Sequence, residues 1–212
     1  MAYYGRPKPL RIGVMASDYQ PSLLSETDLR AADLSWAYNR PAGSAMPAAE
    51  LQGWKQRVVQ FQAAVRSGPA IAQGSPFDLT DASPATTLDP FILPPQNAEF
   101  WRGQFQESGV PALYFVVDHE ADLLLYVGET VKSNQRWKGV HDCKRYILSY
   151  VEAHRGHGLA VAVNIGFWPH AKRDRKARQS LELELIQRWR SPFNKENWAT
   201  WSTPFVGGKL EA

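Results

Sequence analysis

Cysteine is almost absent from this chain. Cys143 is the single cysteine among 212 residues, so no disulfide bond can form within the chain. Disulfides are rare in reducing compartments, and a composition without them favours a cytoplasmic protein. The first residues, Met1 to Arg6, lack the charged-then-apolar layout of a secretory signal, and this predicts the same location.

Long apolar runs are also missing. No stretch approaches the roughly 18 residues that a membrane-spanning helix requires, so we expect no membrane partner. The apolar fraction of 44% and the eight tryptophans are nevertheless sufficient to build a buried core. The length allows one large domain or a compact domain with an appendage.

A strong excess of either charge is missing as well. The chain has 24 Lys and Arg against 21 Asp and Glu, and the excess falls after residue 96. Its densest basic cluster contains Lys172, Arg173, Arg175, Lys176 and Arg178. Such a cluster either follows the phosphates of a nucleic acid or forms the solvated face of a helix, and its charge alone leaves both open.

Residues 1–96 are predicted to form an amino-terminal extension that is largely helical or irregular. A helix is expected at about 47–66, because Leu51, Trp54, Val58, Phe61 and Val65 recur at spacings of three and four. Residues 67–96 contain six prolines and no periodicity, which predicts a long extended connection.

Residues 97–212 are predicted to form an α+β domain, on which the amino-terminal extension docks. A short helix is expected over 97–108, and two apolar runs at 113–117 and 123–128 flank a polar turn, as in a β-hairpin. A helix over 134–153, a strand over 159–167 and a helix over 171–189 follow. This order predicts a small, mainly antiparallel three-stranded sheet flanked by helices.

Five side chains in this region form a set that is suited to cutting a phosphodiester. Such a reaction requires that water is deprotonated, that the developing charge is neutralised and that the phosphate is held in position. The chain offers two strand tyrosines, an arginine fork, a helical carboxylate and an asparagine: Tyr114, Tyr126, Arg136, Glu182 and Asn194.

In their order and spacing these residues resemble the GIY-YIG nuclease superfamily, over about residues 110–198. Tyr126-Val127-Gly128 is similar to the second motif of that family, and Pro192-Phe193-Asn194 is similar to its end. The chain departs from the pattern in reading Ala112-Leu113-Tyr114 for the first motif. It also has Val140, followed by His141, where some members carry histidine or tyrosine.

The resemblance implies a metal-dependent endonuclease that acts on nucleic acid, with DNA favoured. It implies one Mg²⁺ or Mn²⁺ in each active site, held by Glu182. One alternative is an RNA-processing nuclease with the same site. Another, of a different class, is a nucleic-acid-binding or assembly module in which cleavage is weak or lost. The oligomeric state stays open.

A tyrosine acts as a general base only if something lowers its pKa. An ordinary tyrosine has a pKa near 10, which leaves about 0.1% phenolate at pH 7. The resemblance implies that Tyr114 is the base and that Tyr126 positions the phosphate or water. The residues themselves leave that choice open.

Two glutamates compete for the metal on the last predicted helix. Glu184 has Arg188 four residues later, which predicts a solvent-facing ion pair. Glu182 shares its face with Leu185 and Ile186, where a carboxylate costs free energy unless something satisfies it. This argument assigns the metal to Glu182.

Further basic residues are candidates for phosphate contacts, and the alternative for each is a solubilising surface position. The candidates are Lys132, Lys138, Lys144, Arg145, Lys172, Arg173 and Arg175.

Overall fold

A computed structural model describes residues 46–68, 83–96, 109–133 and 142–204 of the chain. Several predictions concern residues outside these ranges. They are most of the amino-terminal extension (1–45 and 69–82), the short helix over 97–108, the first part of the helix over 134–153, and the site candidates Arg136 and Lys138.

The described residues form an α+β fold around an antiparallel sheet, and the predicted fold class is confirmed in that general sense. Four strands lie in the order β1–β4–β2–β3. Their bounds are β1 Pro95–Gln96, β2 Ala112–Asp118, β3 Leu123–Thr130 and β4 Val163–Trp168.

The prediction of three strands was wrong, because the proline-rich segment contributes β1. Pro95 and Gln96 pair with Gly166 and Ile165 of β4 at one edge of the sheet. An edge strand accommodates proline, whose missing N–H removes no bond that the sheet interior needs. A strand of two residues also has no alternation that sequence periodicity could detect.

Helices pack on both faces of the sheet. Their bounds are α1 Ala48–Ser67, α2 Pro84–Thr87, α3 Asp142–Gly156, α4 Arg175–Trp189 and α5 Trp198–Trp201, with 3₁₀ turns at Pro90–Ile92 and Lys195–Asn197. Helix α4 starts at Arg175, four residues later than predicted, because the Asp174 carboxylate caps it by accepting a hydrogen bond from the Ala177 N–H at 2.8 Å.

Strand β2 lies between two hydrophobic cores, and all of its residues are buried. Tyr114 and Val116 face a core that includes Trp54 of α1 and Tyr150 of α3. Leu113, Phe115 and Val117 face a second core, which contains Leu185, Ile186 and Trp189 of α4. The predicted helix near 47–66 therefore packs against the same sheet as the later helices, while the proposed domain boundary at residue 96 stays a prediction.

Strand β3 forms the other edge of the sheet, and side chains from outside the sheet cover it. The Gln62 amide of α1 accepts a hydrogen bond from the Leu124 N–H at 2.8 Å and donates to the Leu124 carbonyl at 2.9 Å. It also donates to the Trp189 carbonyl at 3.1 Å, which links α1 to the end of α4. In the described part of the chain, no helix is both long and apolar enough to cross a membrane.

Candidate active site

The two candidate tyrosines lie side by side on one face of the sheet. Tyr114 pairs with Gly128 and Val116 pairs with Tyr126, so both tyrosine side chains project on the same side. Their ring centroids are 5.9 Å apart, with 30° between the ring planes. The Tyr114 ring also contacts Phe167 of β4, at 6.0 Å between centroids.

The close fit of Tyr114 explains the glycine that ends the Tyr126-Val127-Gly128 segment. A Cβ atom on Gly128 would lie less than 3.0 Å from the Cζ and hydroxyl oxygen of Tyr114. The Tyr114 ring occupies the space that any larger side chain would need at that position. Tyr114 itself is 0% exposed, whereas Tyr126 is only partly buried.

Asn194 is bound to the backbone of the same strand. Its Oδ1 accepts a hydrogen bond from the Val127 N–H, and its Nδ2 donates to the Val127 carbonyl, both at 2.9 Å. The Ser191 hydroxyl also donates to Oδ1 at 2.7 Å, and the Phe193 N–H donates to the Leu125 carbonyl at 2.9 Å. These hydrogen bonds fix the segment around Asn194 along the edge of the sheet that β3 forms.

The two glutamates of α4 lie in different surroundings. The buried positions of the helix are Arg178, Leu185, Ile186 and Trp189. Glu182 is one turn before Ile186 and is partly buried, whereas Glu184 is exposed.

The expected pairing of Glu184 with Arg188 was wrong. Glu184 instead accepts hydrogen bonds from the hydroxyls of Ser83, at 2.5 Å, and Ser180, at 3.4 Å. Ser83 caps the short helix α2, which lies beside α4 and brings that hydroxyl within reach. The Arg188 guanidinium lies 5.7 Å from the centroid of the Trp189 ring.

A cleft of about 450 Å³ brings candidate residues from three separate segments together. Tyr126 of β3, Glu182 of α4 and Asn194 all line it. The cleft lies at the edge of the sheet, between α3 and α4, with the segment 193–196 along it. Tyr114 contacts Tyr126 but has no exposed surface and does not line the cleft.

Sequence reasoning missed Lys195, which also lines the cleft. Its Nζ lies 5.8 Å from the centroid of the Trp198 ring, so the long side chain has a surface to rest on. The available signal was its position directly after Asn194, next to a residue already assigned to the site. Glu196 lines the cleft as well, and gives it a second carboxylate.

One member of the basic cluster has a structural role. Arg178 is 2% exposed and forms an ion pair with Glu129 of β3. It also donates to the carbonyls of Lys172 and Arg173, at 3.1 Å each. Arg178 therefore does not contact phosphates; it holds the segment that presents the exposed side chains of Lys172, Arg173 and Arg175.

The remaining described candidates for phosphate contacts differ in position. Lys132 follows β3 and is exposed. Lys144 and Arg145 lie on α3, where Lys144 is partly buried and Arg145 is exposed. The Arg145 guanidinium lies 5.5 Å from the centroid of the Tyr146 ring, and Tyr146 lines the cleft.

The oxygen ligands that the cleft offers to a divalent cation are two carboxylates, those of Glu182 and Glu196. Among the described residues there is no cluster of three or more His, Cys, Asp or Glu side chains that could hold a metal. The side-chain atoms of Asn194 are engaged by Val127 and Ser191. The carboxylate of Glu182 with bound waters still fits Mg²⁺, which prefers oxygen ligands and dehydrates reluctantly.

A second polar cluster is buried in the core and does not line the cleft. The Asp118 carboxylate is 0% exposed and pairs with Lys55 at 2.8 Å. It also accepts hydrogen bonds from the Tyr150 hydroxyl at 2.8 Å and the Ala162 N–H at 2.9 Å. Burial alone would raise the pKa of Asp118, but the Lys55 ammonium and these hydrogen bonds lower it below its usual value.

The pKa values of two side chains near Asp118 are shifted as well. Burial and the adjacent Asp118 charge raise the pKa of Tyr150 well above its usual value. Burial, with a contribution from the Lys55 charge, lowers the pKa of His154. His154 lies 3.4 Å from the Lys55 ammonium, through Nε2, and 2.8 Å from the Tyr150 carbonyl, through Nδ1.

No protein-family model, curated protein or solved structure matches this chain.

Proposed function

We propose that this chain is a metal-dependent endonuclease of the GIY-YIG type that cuts phosphodiester bonds in nucleic acid, with DNA the favoured substrate. The observation that carries the proposal is the convergence of Tyr126, Glu182 and Asn194 on one cleft. They lie on β3, on α4 and in the segment after α4, so three separate parts of the chain contribute to the cleft.

Of the two tyrosines, Tyr126 is the better candidate for the group that contacts the attacking water. It lines the cleft, whereas Tyr114 is fully buried. Tyr114 then has a positioning role, because its ring packs against Tyr126 and fills the space over Gly128. This reverses the assignment that the family resemblance implies for the two tyrosines.

Glu182 is the residue that would hold the divalent cation. Such a cation, when bound, polarises a phosphoryl oxygen and stabilises the leaving oxygen. Lys195 supplies a positive charge to the substrate phosphate from the same cleft, and Asn194 fixes the segment that carries Lys195 against β3. Arg136 is proposed to bind the scissile phosphate through its guanidinium fork.

The test is a cleavage panel with the purified full chain. Plasmid DNA, branched DNA, single-stranded DNA and structured RNA are each incubated with Mg²⁺ or Mn²⁺, and with EDTA as the matched control. We expect metal-dependent cutting of at least one DNA substrate. Cutting of RNA alone would favour the RNA-processing alternative, and tight binding without any cleavage would favour the binding module.

A further inference from the structure

The cleft has a nearly buried apolar floor and one strongly exposed apolar side chain. Tyr146, Ile186 and Phe193 line the floor but are each no more than 4% exposed, so the accessible apolar surface comes mainly from Leu183. Leu183 is 43% exposed, one of four large apolar side chains that are strongly exposed in the described ranges, and it is the one that lines the cleft. Contact with this apolar surface would not stabilise a phosphate or a metal ion bound alone.

Cationic side chains lie beside the apolar floor. Lys195 lines the cleft, and the Arg145 guanidinium lies 5.5 Å from the centroid of the Tyr146 ring. Tyr126 and Glu182 line the same cleft, so the proposed reacting groups adjoin the apolar surface. The arrangement suits a ligand with one flat apolar part and one anionic part.

The size of the cleft suits a single nucleotide. Its volume of about 450 Å³ lies within the range of roughly 300–1,000 Å³ that is typical of small-ligand sites. The faces of a base inside a duplex are covered by its stacked neighbours and cannot contact Leu183. An extruded base presents those faces and can pack against aromatic and apolar side chains.

We propose that the cleft binds one unstacked nucleotide of a DNA substrate, with its base against Leu183 and its phosphate at Lys195. This inference rests on the proposed function and names its substrate class: DNA with an unpaired nucleotide next to the bond that is cut. Unstacking costs free energy in a paired duplex and much less at a bulge, so the site selects bulged DNA.

Binding tests the proposal without cleavage. The full-length Glu182→Gln variant is titrated by fluorescence anisotropy against a paired duplex and the same duplex with a single-nucleotide bulge, both with Ca²⁺ present. We expect the bulged duplex to bind about tenfold more tightly, because its nucleotide is already unpaired. With the wild-type chain, cutting should occur next to the bulge and should follow it when the bulge is moved about one helical turn.

A matched pair of variants assigns the preference to the cleft. Leu183→Ser should reduce the bulge-to-duplex affinity ratio several-fold, whereas Ile92→Ser, an equally polar change at a position 73% exposed and outside the cleft, should retain it. Equal affinity for both DNAs, or a full preference in Leu183→Ser, would overturn the inference. Equal cutting of both DNAs would leave the proposed nuclease function standing, whereas bulge-selective binding without any cleavage would remove that function and leave the binding site.

Discussion

Gly128 shows how one residue position controls the arrangement of the site. Its hydrogen atom faces the ring of Tyr114, and a methyl group would lie less than 3.0 Å from that ring. The sequence pattern identified the Tyr-Val-Gly segment without giving this reason, because the contact depends on the β2–β3 register. The same applies to Arg178, whose burial against Glu129 no charge count could predict.

We expect Gly128→Ala to destabilise the protein by about 1–3 kcal/mol, because the added methyl group must displace Tyr114 from a packed core. Urea denaturation measures the loss. Gly156→Ala is the matched control, since nothing lies within 4 Å of the added atom at the end of α3. A Gly128→Ala protein as stable as the control would show that Tyr114 does not pack over that glycine.

At the scale of elements, periodicity predicted the long helices and the hairpin well. Of the predicted stripe, Leu51, Trp54 and Val58 are buried and the last two residues are partly buried, and the helix spans Ala48–Ser67 against the predicted 47–66. Periodicity cannot detect polar side chains that satisfy a strand edge. The hydrogen bonds that Gln62 and Asn194 make with β3 could not be predicted from periodicity, because both residues lie far from β3 in the chain.

We expect Asn194→Asp to weaken that edge, because a carboxylate cannot donate to the Val127 carbonyl. Leaving buried partners unpaired costs about 1–3 kcal/mol, measurable by urea denaturation and by faster hydrogen exchange at the Val127 amide. Glu196→Ala, an exposed neighbour, serves as the control. Unchanged exchange at Val127 in the Asn194→Asp variant would contradict the proposed edge contact.

The basic residues at the start of α4 and directly before it are the ones that we expect to govern salt-sensitive binding. Neutralising Lys172, Arg173 and Arg175 together should flatten the dependence of DNA affinity on salt concentration, because fewer counterions are released. These side chains are exposed, so folding should survive. An unchanged slope would identify the cluster as a solvated surface without a role in binding.

At the scale of the whole molecule, one buried carboxylate, that of Asp118 in β2, joins two helices and the segment before β4. Its partners Lys55, Tyr150 and Ala162 come from α1, α3 and the segment before β4. This cluster could not be predicted from the residue pattern, because a charged residue at the end of a strand usually lies at the surface. Whether the Asp118 carboxylate stabilises or destabilises the fold depends on whether all three of these partners remain in contact with it.

We expect acid to destabilise the fold in two stages. Burial lowers the pKa of His154 below 6.5, so the unfolded chain takes up that proton first and stability declines below about pH 6.5. The contribution of Asp118 is complete above about pH 3.8 and is lost as the pH falls through its lower folded pKa. The midpoint of urea denaturation, measured at a series of pH values from neutral to acid, should fall in both stages.

Asp118→Asn should remove the second stage and lower stability at neutral pH by about 3–5 kcal/mol, because it leaves the Lys55 charge without its partner. Replacing Lys55 with methionine in the same protein should restore part of the loss. A variant with wild-type stability and an unchanged acid profile would show that the pair does not stabilise the fold.

The central claim is that the cleft is a nuclease site in which Glu182 holds the cation, and replacing Glu182 tests it most directly. Metal-dependent DNA cleavage is measured for Glu182→Ala and Glu184→Ala, beside the melting temperature and DNA affinity of each variant. We predict that Glu182→Ala abolishes cleavage and retains folding and binding, since loss of the metal ligand costs several kcal/mol of transition-state stabilisation. Glu184→Ala, which loses only exposed contacts with Ser83 and Ser180, should cleave normally. Normal cleavage by a folded Glu182→Ala protein would contradict the account.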